Sequence, residues 1–122
     1  MTKKKIAILE DDRNLLELLT KVLINEGYEV IGASTGSDLA NKILDNKPNL
    51  IITDIHLPQL SGHKVVELFQ KKDIDYYVPV IVMSSKEEEE IKKAAEHVGA
   101  VTYFKKPVDL PKMLELVKQH IK

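Results

Sequence analysis

The chain has 122 residues, of which 43% are hydrophobic and 30% are charged, and its formal net charge at pH 7 is −1. This length suits a single domain with a real apolar core, which we expect over residues 1–122. The absence of cysteine excludes disulfides and thiolate zinc sites. Lysine and glutamate are interspersed, so we expect no direct nucleic-acid partner. The apolar runs are too short to span a bilayer and no signal-type segment follows the basic N-terminus, so we expect a cytoplasmic protein with no membrane association.

Five short apolar segments have the composition of strands, and an amphipathic helical pattern follows each of them. The strands are predicted at residues 5–9, 28–31, 50–52, 78–83 and 101–104. Asp12 is a candidate cap of the first helix, and Gly27 and Gly99 are placed to end the first and fourth helices. A loop and cap region over residues 32–38 precedes the second helix, and the third helix is predicted to start near Gly62.

The alternation of five strands with five helices predicts a parallel sheet that is covered by helices on both faces. Short connections and right-handed crossovers leave few possible strand orders. We predict a single-domain α/β protein with a flavodoxin-like, doubly wound (βα)5 architecture and the strand order 2-1-3-4-5. In this order strand three lies at the centre, between strands one and four, and the carboxyl ends of all the strands meet at one edge.

Polar residues follow four of the predicted strands at this edge. Glu10 and Asp11 come directly after strand one, and Asp54 comes as strand three ends. Ser84 follows strand four, and Lys106 follows strand five. Each also has a simple structural explanation, because a serine can cap the next helix, an aspartate can be a loop acid and a lysine can be a solvated charge. The joint pattern, rather than any single residue, predicts a functional site.

The residue types at this edge suit phosphoryl transfer assisted by a divalent cation. Clustered carboxylates repel one another unless a cation lies among them, and oxygen ligands with room for water suit Mg²⁺. A metal-bound aspartate can accept a phosphoryl group as an acyl phosphate. A lysine and a hydroxyl can stabilise the remaining charge during transfer. The pattern therefore predicts a magnesium-dependent acceptor site at the end of the central strand.

Four motifs give the sequence a resemblance that covers nearly the whole chain. They are Ile8-Leu9-Glu10-Asp11-Asp12, Thr53-Asp54-Ile55-His56-Leu57-Pro58 with Gly62, Val82-Met83-Ser84-Ser85, and Gly99-Ala100 with Tyr103-Phe104-Lys105-Lys106-Pro107. In these motifs the chain resembles the CheY-like receiver domains of bacterial two-component response regulators. The resemblance implies one receiver domain over residues 1–122, in which Asp54 is the phosphorylated residue.

The resemblance also implies a set of ligands for Mg²⁺. Asp11 and Asp54 would bind the ion through their carboxylates, and Glu10 would act through a water molecule. The main-chain carbonyl of His56, and not its ring, would be the remaining protein ligand.

A switch on the last two strands is implied by the same resemblance. Ser84 would turn toward the phosphoryl group, and Lys106 would hold another of its oxygens. Tyr103 would be the aromatic residue that rearranges together with Ser84. The Lys106–Pro107 peptide bond is expected to be cis. Phosphorylation would then change the surface formed by the fourth helix, strand five and the fifth helix.

The resemblance implies signalling partners rather than a metabolic substrate. A histidine kinase or a phosphotransfer protein would supply the phosphoryl group, and a downstream protein target or output domain would respond to it. The domain would be a regulatory phosphoacceptor that assists its own phosphorylation and dephosphorylation, and not an enzyme with a separate substrate. We expect a monomer or a weak, phosphorylation-dependent dimer.

Two other functions are compatible with parts of the sequence. An aspartyl-nucleophile phosphatase has a similar site but places a second acid two residues after the nucleophile, where this chain has His56. An interaction module of the same fold would not need the polar constellation. The four histidines show no convincing zinc-ligand spacing. Strand one is followed by acids, where a dinucleotide-binding protein has a glycine-rich loop.

Overall fold

The computed structural model describes residues 2–55 and 78–122 of the chain. Strands and helices in these residues are β1 Lys5–Leu9, α1 Arg13–Asn25, β2 Glu29–Ala33, α2 Gly36–Leu44, β3 Leu50–Asp54, β4 Val80–Ser84, α3 Glu88–Val98, β5 Thr102–Lys105 and α4 Leu110–His120. The third predicted helix, near Gly62, lies outside the described residues. The helices α3 and α4 therefore correspond to the fourth and fifth helices predicted from the sequence.

The five strands form one parallel sheet with the order β2-β1-β3-β4-β5. This confirms the predicted strand order and the α/β class. All five residues of β3 are buried, as are all five residues of β4. This burial agrees with the position of both strands inside the sheet. A strand that is buried on both faces needs apolar side chains on both, and the run Leu50–Ile52 supplies them.

The core consists of two apolar layers, one on each face of the sheet. Alternate strand residues point to opposite faces, so Ile51 packs with helices α2 and α3, whereas Leu50 and Ile52 pack with α1 and α4. The helix residues that complete the two layers are Leu39, Ile43, Ile91 and Ala95 on the first face, and Leu19, Leu23, Met113 and Val117 on the second. The helices therefore hold both faces of β3 and fix the position of its carboxyl end.

Several helix ends are formed by the residues that the sequence indicates. The carboxylate of Asp12 accepts hydrogen bonds from the backbone N–H groups of Asn14 at 3.0 Å and Leu15 at 3.3 Å, which confirms it as the cap of α1. Gly99 ends α3 with a φ of 74°, a left-handed conformation that glycine adopts without steric cost. Among the described residues, no helix is long and apolar enough to cross a membrane.

Some element boundaries differ from the prediction by a few residues. Strand β2 continues to Ala33 because Gly32 pairs with Ile8 and Ala33 pairs with Leu9, so the loop starts later than predicted. Helix α2 starts at Gly36 instead of near Leu39 because the Thr35 side chain accepts a hydrogen bond from the Asp38 N–H at 3.1 Å. Strands β4 and β5 extend one residue further than predicted at their carboxyl ends. These shifts leave the polar edge of the sheet unchanged.

Candidate functional site

The carboxyl ends of four strands bring the predicted polar residues together. Asp54 is the last residue of β3, and Ser84 is the last residue of β4. Glu10 directly follows β1, and Lys106 directly follows β5. Exposure is 0% for Glu10, 8% for Asp54 and 1% for Ser84, so these polar groups are withdrawn from bulk water. Burial of this kind is costly unless the groups are paired or bind an ion, which marks the edge as a site.

Three carboxylates at this edge can hold a cation. One oxygen from each of Glu10, Asp11 and Asp54 lies within 4.8 Å of the others, and Asp11 is exposed to solvent. An all-oxygen ligand set that is open to water on one side fits the preference of Mg²⁺ for few carboxylates and several waters. The predicted carbonyl ligand, His56, lies outside the described residues.

Lys106 connects two of these acids. Its ammonium Nζ donates a hydrogen bond to Asp54 Oδ2 at 2.6 Å and also contacts Glu10 Oε1. The other carboxylate oxygen of Glu10 accepts a hydrogen bond from the backbone N–H of Asp12 at 3.1 Å. The family resemblance implied that Glu10 would face the metal through water, and nothing in the sequence indicated the contact with Lys106. That contact joins the end of β1 to the end of β5, with β3 and β4 between them, and depends on the reach of the Lys106 side chain, which local sequence patterns do not encode.

The electrostatics of the site reflect burial and ion pairing together. Burial raises the pKa of the Glu10 carboxyl above its ordinary value of 4.5, although the contact with Lys106 acts in the opposite direction. Burial by itself would lower the pKa of the Lys106 ammonium, but its bonds to Asp54 and Glu10 outweigh that effect and raise the pKa. Lys106 is therefore firmly cationic and available to an anion at this edge.

Ser84 lies buried at the end of β4 and does not cap the next helix. Its hydroxyl oxygen accepts a hydrogen bond from the backbone N–H of Lys86 at 3.1 Å, which leaves the hydroxyl hydrogen for another acceptor. The N-cap of α3 is Glu87, whose side chain makes no capping hydrogen bond. The alternative explanation of Ser84 as a helix cap is therefore wrong, because the chain turns for three residues before α3 begins.

Tyr103, the residue that the family resemblance implied as the aromatic switch, lies on β5. It packs partly buried against the apolar layer beneath α3. The hydroxyl of Tyr103 donates a hydrogen bond to Glu88 Oε1 at 3.2 Å, a contact that the sequence did not predict. Burial raises the pKa of Tyr103, and the negative charge of Glu88 raises it further. The Lys106–Pro107 peptide bond is cis, as expected.

Comparisons with known proteins agree with this geometry. The sequence matches the response regulator receiver domain family over residues 6–118. Sporulation initiation phosphotransferase F of Bacillus subtilis is 28% identical over 121 residues, which are 99% of this chain and 96% of the relative. Protein PilG of Pseudomonas aeruginosa is 31% identical over 117 residues, which are 96% of this chain and 87% of the relative.

A solved structure provides an independent comparison of the fold. The chemotaxis protein CheY4 of Vibrio cholerae has a TM-score of 0.89 to this chain, with coverage of 98% of this chain and 100% of the other. Sequence identity between the two is 21%. At that identity the similarity establishes a common fold.

Proposed function

The chain belongs to the response regulator receiver domain family, and on that premise we propose that residues 1–122 form a phosphorylation-controlled switch with Asp54 as the phosphoacceptor. One observation carries the proposal. The carboxylate of Asp54 ends the central strand, lies in the oxygen cluster with Glu10 and Asp11, and accepts a bond from Lys106. An acceptor of phosphate needs this combination of an oxygen nucleophile, a cation site and a fixed positive charge.

The chemistry would take place at one carboxylate oxygen of Asp54. That oxygen attacks the phosphorus of the donor, the bond from phosphorus to the leaving group breaks, and an acyl phosphate remains on Asp54. Lys106 already contacts this carboxylate and would hold a phosphoryl oxygen by a charge-assisted hydrogen bond. The hydroxyl of Ser84, at the end of the neighbouring strand, would donate to a second phosphoryl oxygen.

Glu10, Asp11 and Asp54 would hold Mg²⁺, together with the main-chain carbonyl of His56. When bound, the ion neutralises charge on the phosphoryl oxygens during transfer. Asp11 and Asp54 would be direct ligands, and Glu10 would act through water. The exposure of Asp11 leaves this side of the site open to water and to a donor.

The donor would be a phosphorylated histidine on a histidine kinase or on a phosphotransfer protein. Transfer breaks the phosphorus–nitrogen bond and returns the imidazole to its neutral form after protonation. The relative in Bacillus subtilis is itself named as a phosphotransferase of sporulation initiation, which supports a place in a relay of this kind. A downstream protein or output domain in the cytoplasm would then read the altered surface of α3, β5 and α4.

The domain would assist its own phosphorylation and dephosphorylation but would have no separate substrate. The family match favours this function over an aspartyl-nucleophile phosphatase. Beryllofluoride, which mimics a phosphoryl group on an aspartate, tests the proposal without a kinase. We expect ¹⁹F resonances of a bound adduct with the wild type and Mg²⁺, and none with Asp54→Asn. If both proteins formed the adduct equally, Asp54 would not be the acceptor.

A further inference from the structure

Two consecutive glutamates at the start of α3 contact two residues of β5. Glu88 Oε1 accepts the hydrogen bond from the Tyr103 hydroxyl at 3.2 Å, and Glu87 Oε2 lies 3.8 Å from Lys105 Nζ. Tyr103 and Lys105 are two positions apart on the strand and therefore project from the same face. We call the four residues Glu87, Glu88, Tyr103 and Lys105 the α3–β5 clasp.

The clasp is directly connected to the two groups proposed to bind the phosphoryl oxygens. Ser84 and Lys105 are register partners of β4 and β5, and the N–H of Lys106 donates to the Ser84 carbonyl at 2.8 Å. Glu87 follows Ser84 after two residues, one of which is bonded to the Ser84 hydroxyl. A movement of Ser84 toward Asp54 would therefore pull on the segment that carries the two glutamates.

The two contacts of the clasp differ in strength. The Glu87–Lys105 pair is long, and its side chains are 85% and 46% exposed, so water screens it strongly. The Glu88 contact is a hydrogen bond to a charged acceptor from a tyrosine whose ring is anchored on the apolar layer. Glu88 is therefore the residue of the clasp that has the greater influence on Tyr103.

We propose that Glu88 is a latch that holds the Tyr103 hydroxyl at the surface and thereby stabilises the resting state of the switch. The inference rests on the proposed function, because it assigns a regulatory contact to that same site. In this structure the bond holds the Tyr103 hydroxyl near the surface beside α3, and an inward movement of the ring, which the proposed switch requires, would break it. A contact made in one of two states shifts their equilibrium toward that state.

Removal of the latch makes the phosphorylated conformation easier to reach. For one surface-exposed bond to a charged acceptor, the expected shift in the equilibrium is about two- to tenfold. An anion that binds the active conformation then half-saturates at a correspondingly lower concentration, because its apparent affinity scales with the competent fraction. Glu88 is exposed and on the first helical turn, so its substitution leaves the core of the fold in place.

The test is a double-mutant cycle read by beryllofluoride titration in the presence of Mg²⁺, with amide chemical shifts as the signal. The proteins are wild type, Glu88→Ala, Tyr103→Phe and the double variant. Two further variants serve as controls. Glu88→Gln removes the charge but keeps a hydrogen-bond acceptor, and Glu90→Ala removes the same charge from the same helical turn without touching the clasp.

We expect Glu88→Ala to lower the half-saturating concentration of beryllofluoride about two- to tenfold and to have no further effect in the Tyr103→Phe background. Glu88→Gln is expected to lie between wild type and Glu88→Ala, and Glu90→Ala to match wild type.

The outcomes separate this inference from the proposed function. If the wild type forms the adduct but Glu88→Ala titrates identically, the latch is refuted and the switch stands. An effect of Glu88→Ala that persists in Tyr103→Phe, or that Glu90→Ala reproduces, also refutes the latch, since it would then arise from net charge. If the wild type itself forms no adduct, the phosphoacceptor proposal fails, and the latch fails with it.

Discussion

Lys106 is the residue on which the charge balance of the site depends. Among the described residues it contacts both Asp54 and Glu10, while the nearby Asp11 adds a third negative charge. A single ammonium leaves the cluster with a surplus of negative charge, which a divalent cation would neutralise. The ion pair and the cation site are thus two parts of one electrostatic arrangement, and each can be tested at the level of a single side chain.

The first prediction concerns the metal. Asp11→Ala removes a direct ligand from the proposed set, and we expect it to weaken Mg²⁺ binding by at least about tenfold in a calorimetric titration. Asp38→Ala, which removes an acid from the first turn of α2, is the matched control and should bind as the wild type does. Equal affinities of Asp11→Ala and wild type would show that the ligand assignment is wrong.

The second prediction concerns pH. The pKa of Lys106 is raised in the folded protein above its ordinary value of 10.5. The stability that the pair contributes is therefore fully present below about pH 10.5 and is lost as the pH rises through the higher pKa of the folded state. Lys106→Met leaves Glu10 and Asp54 without their cation and should lower the free energy of unfolding by about 2 kcal/mol.

Urea unfolding in EDTA, from pH 7 to the highest pH at which the protein remains soluble, measures this difference between wild type and Lys106→Met. The difference in the free energy of unfolding between the two proteins should stay constant up to about pH 10 and then decrease. A gap that widens above that pH would contradict the direction of the Lys106 pKa shift.

At the scale of elements, the ends of β4 and β5 and the start of α3 form the part of the fold suited to switching. Ser84 lies at the end of β4, Tyr103 on β5 and Glu88 on the first turn of α3. This part of the fold therefore carries the proposed phosphoryl contact, an aromatic ring and the hydrogen-bond partner of that ring. Helices α1 and α2 pack mainly against β1 and β2, in the half of the sheet that lies away from β4 and β5. A change at Asp54 is therefore expected to pass toward β4 and β5.

The third prediction follows from this arrangement. Beryllofluoride with Mg²⁺ should shift amide resonances in residues 84–106 and at the start of α4, while those of α1 beyond its first turn and of α2 stay near their original positions. Ser84→Ala removes the hydroxyl that would contact the phosphoryl group, so it should still form the adduct at Asp54 but show a smaller response. Equal responses of Ser84→Ala and wild type across β4 and β5 would refute the coupling through this hydroxyl.

Sequence patterns predicted some of these elements better than others, for identifiable physical reasons. Helix caps were predictable where one side chain forms the bond locally, as Asp12 does, and the buried strands were predictable from their apolar runs. The end of β2 was not predictable in this way, because Gly32 remains in the strand through its pairing with β1, at a position where a larger side chain would crowd Leu16. The bonds of Glu10 to Lys106 and of Glu88 to Tyr103 were also missed, since both join different elements and depend on the exact placement of long side chains.

At the scale of the whole molecule, the fold places one buried carboxylate, that of Asp54, at the edge of the sheet. Both faces of β3 are packed by apolar side chains. Its last residue, Asp54, lies where the ends of β1, β4 and β5 supply Glu10, Ser84 and Lys106. The strand order places the proposed acceptor at the centre and the proposed switching elements, at β4 and β5, to one side of it. The match to the response regulator receiver domain family over residues 6–118 is consistent with this fold.

The most direct test of the account is the position of the phosphoryl group after incubation with acetyl phosphate and Mg²⁺. Borohydride reduces an aspartyl phosphate to homoserine, and mass spectrometry of the resulting peptides locates that residue. We expect homoserine at position 54 of the wild type, and none at any position of Asp54→Asn or of the wild type incubated with EDTA. Homoserine at another aspartate, or an unchanged yield in Asp54→Asn, would contradict it.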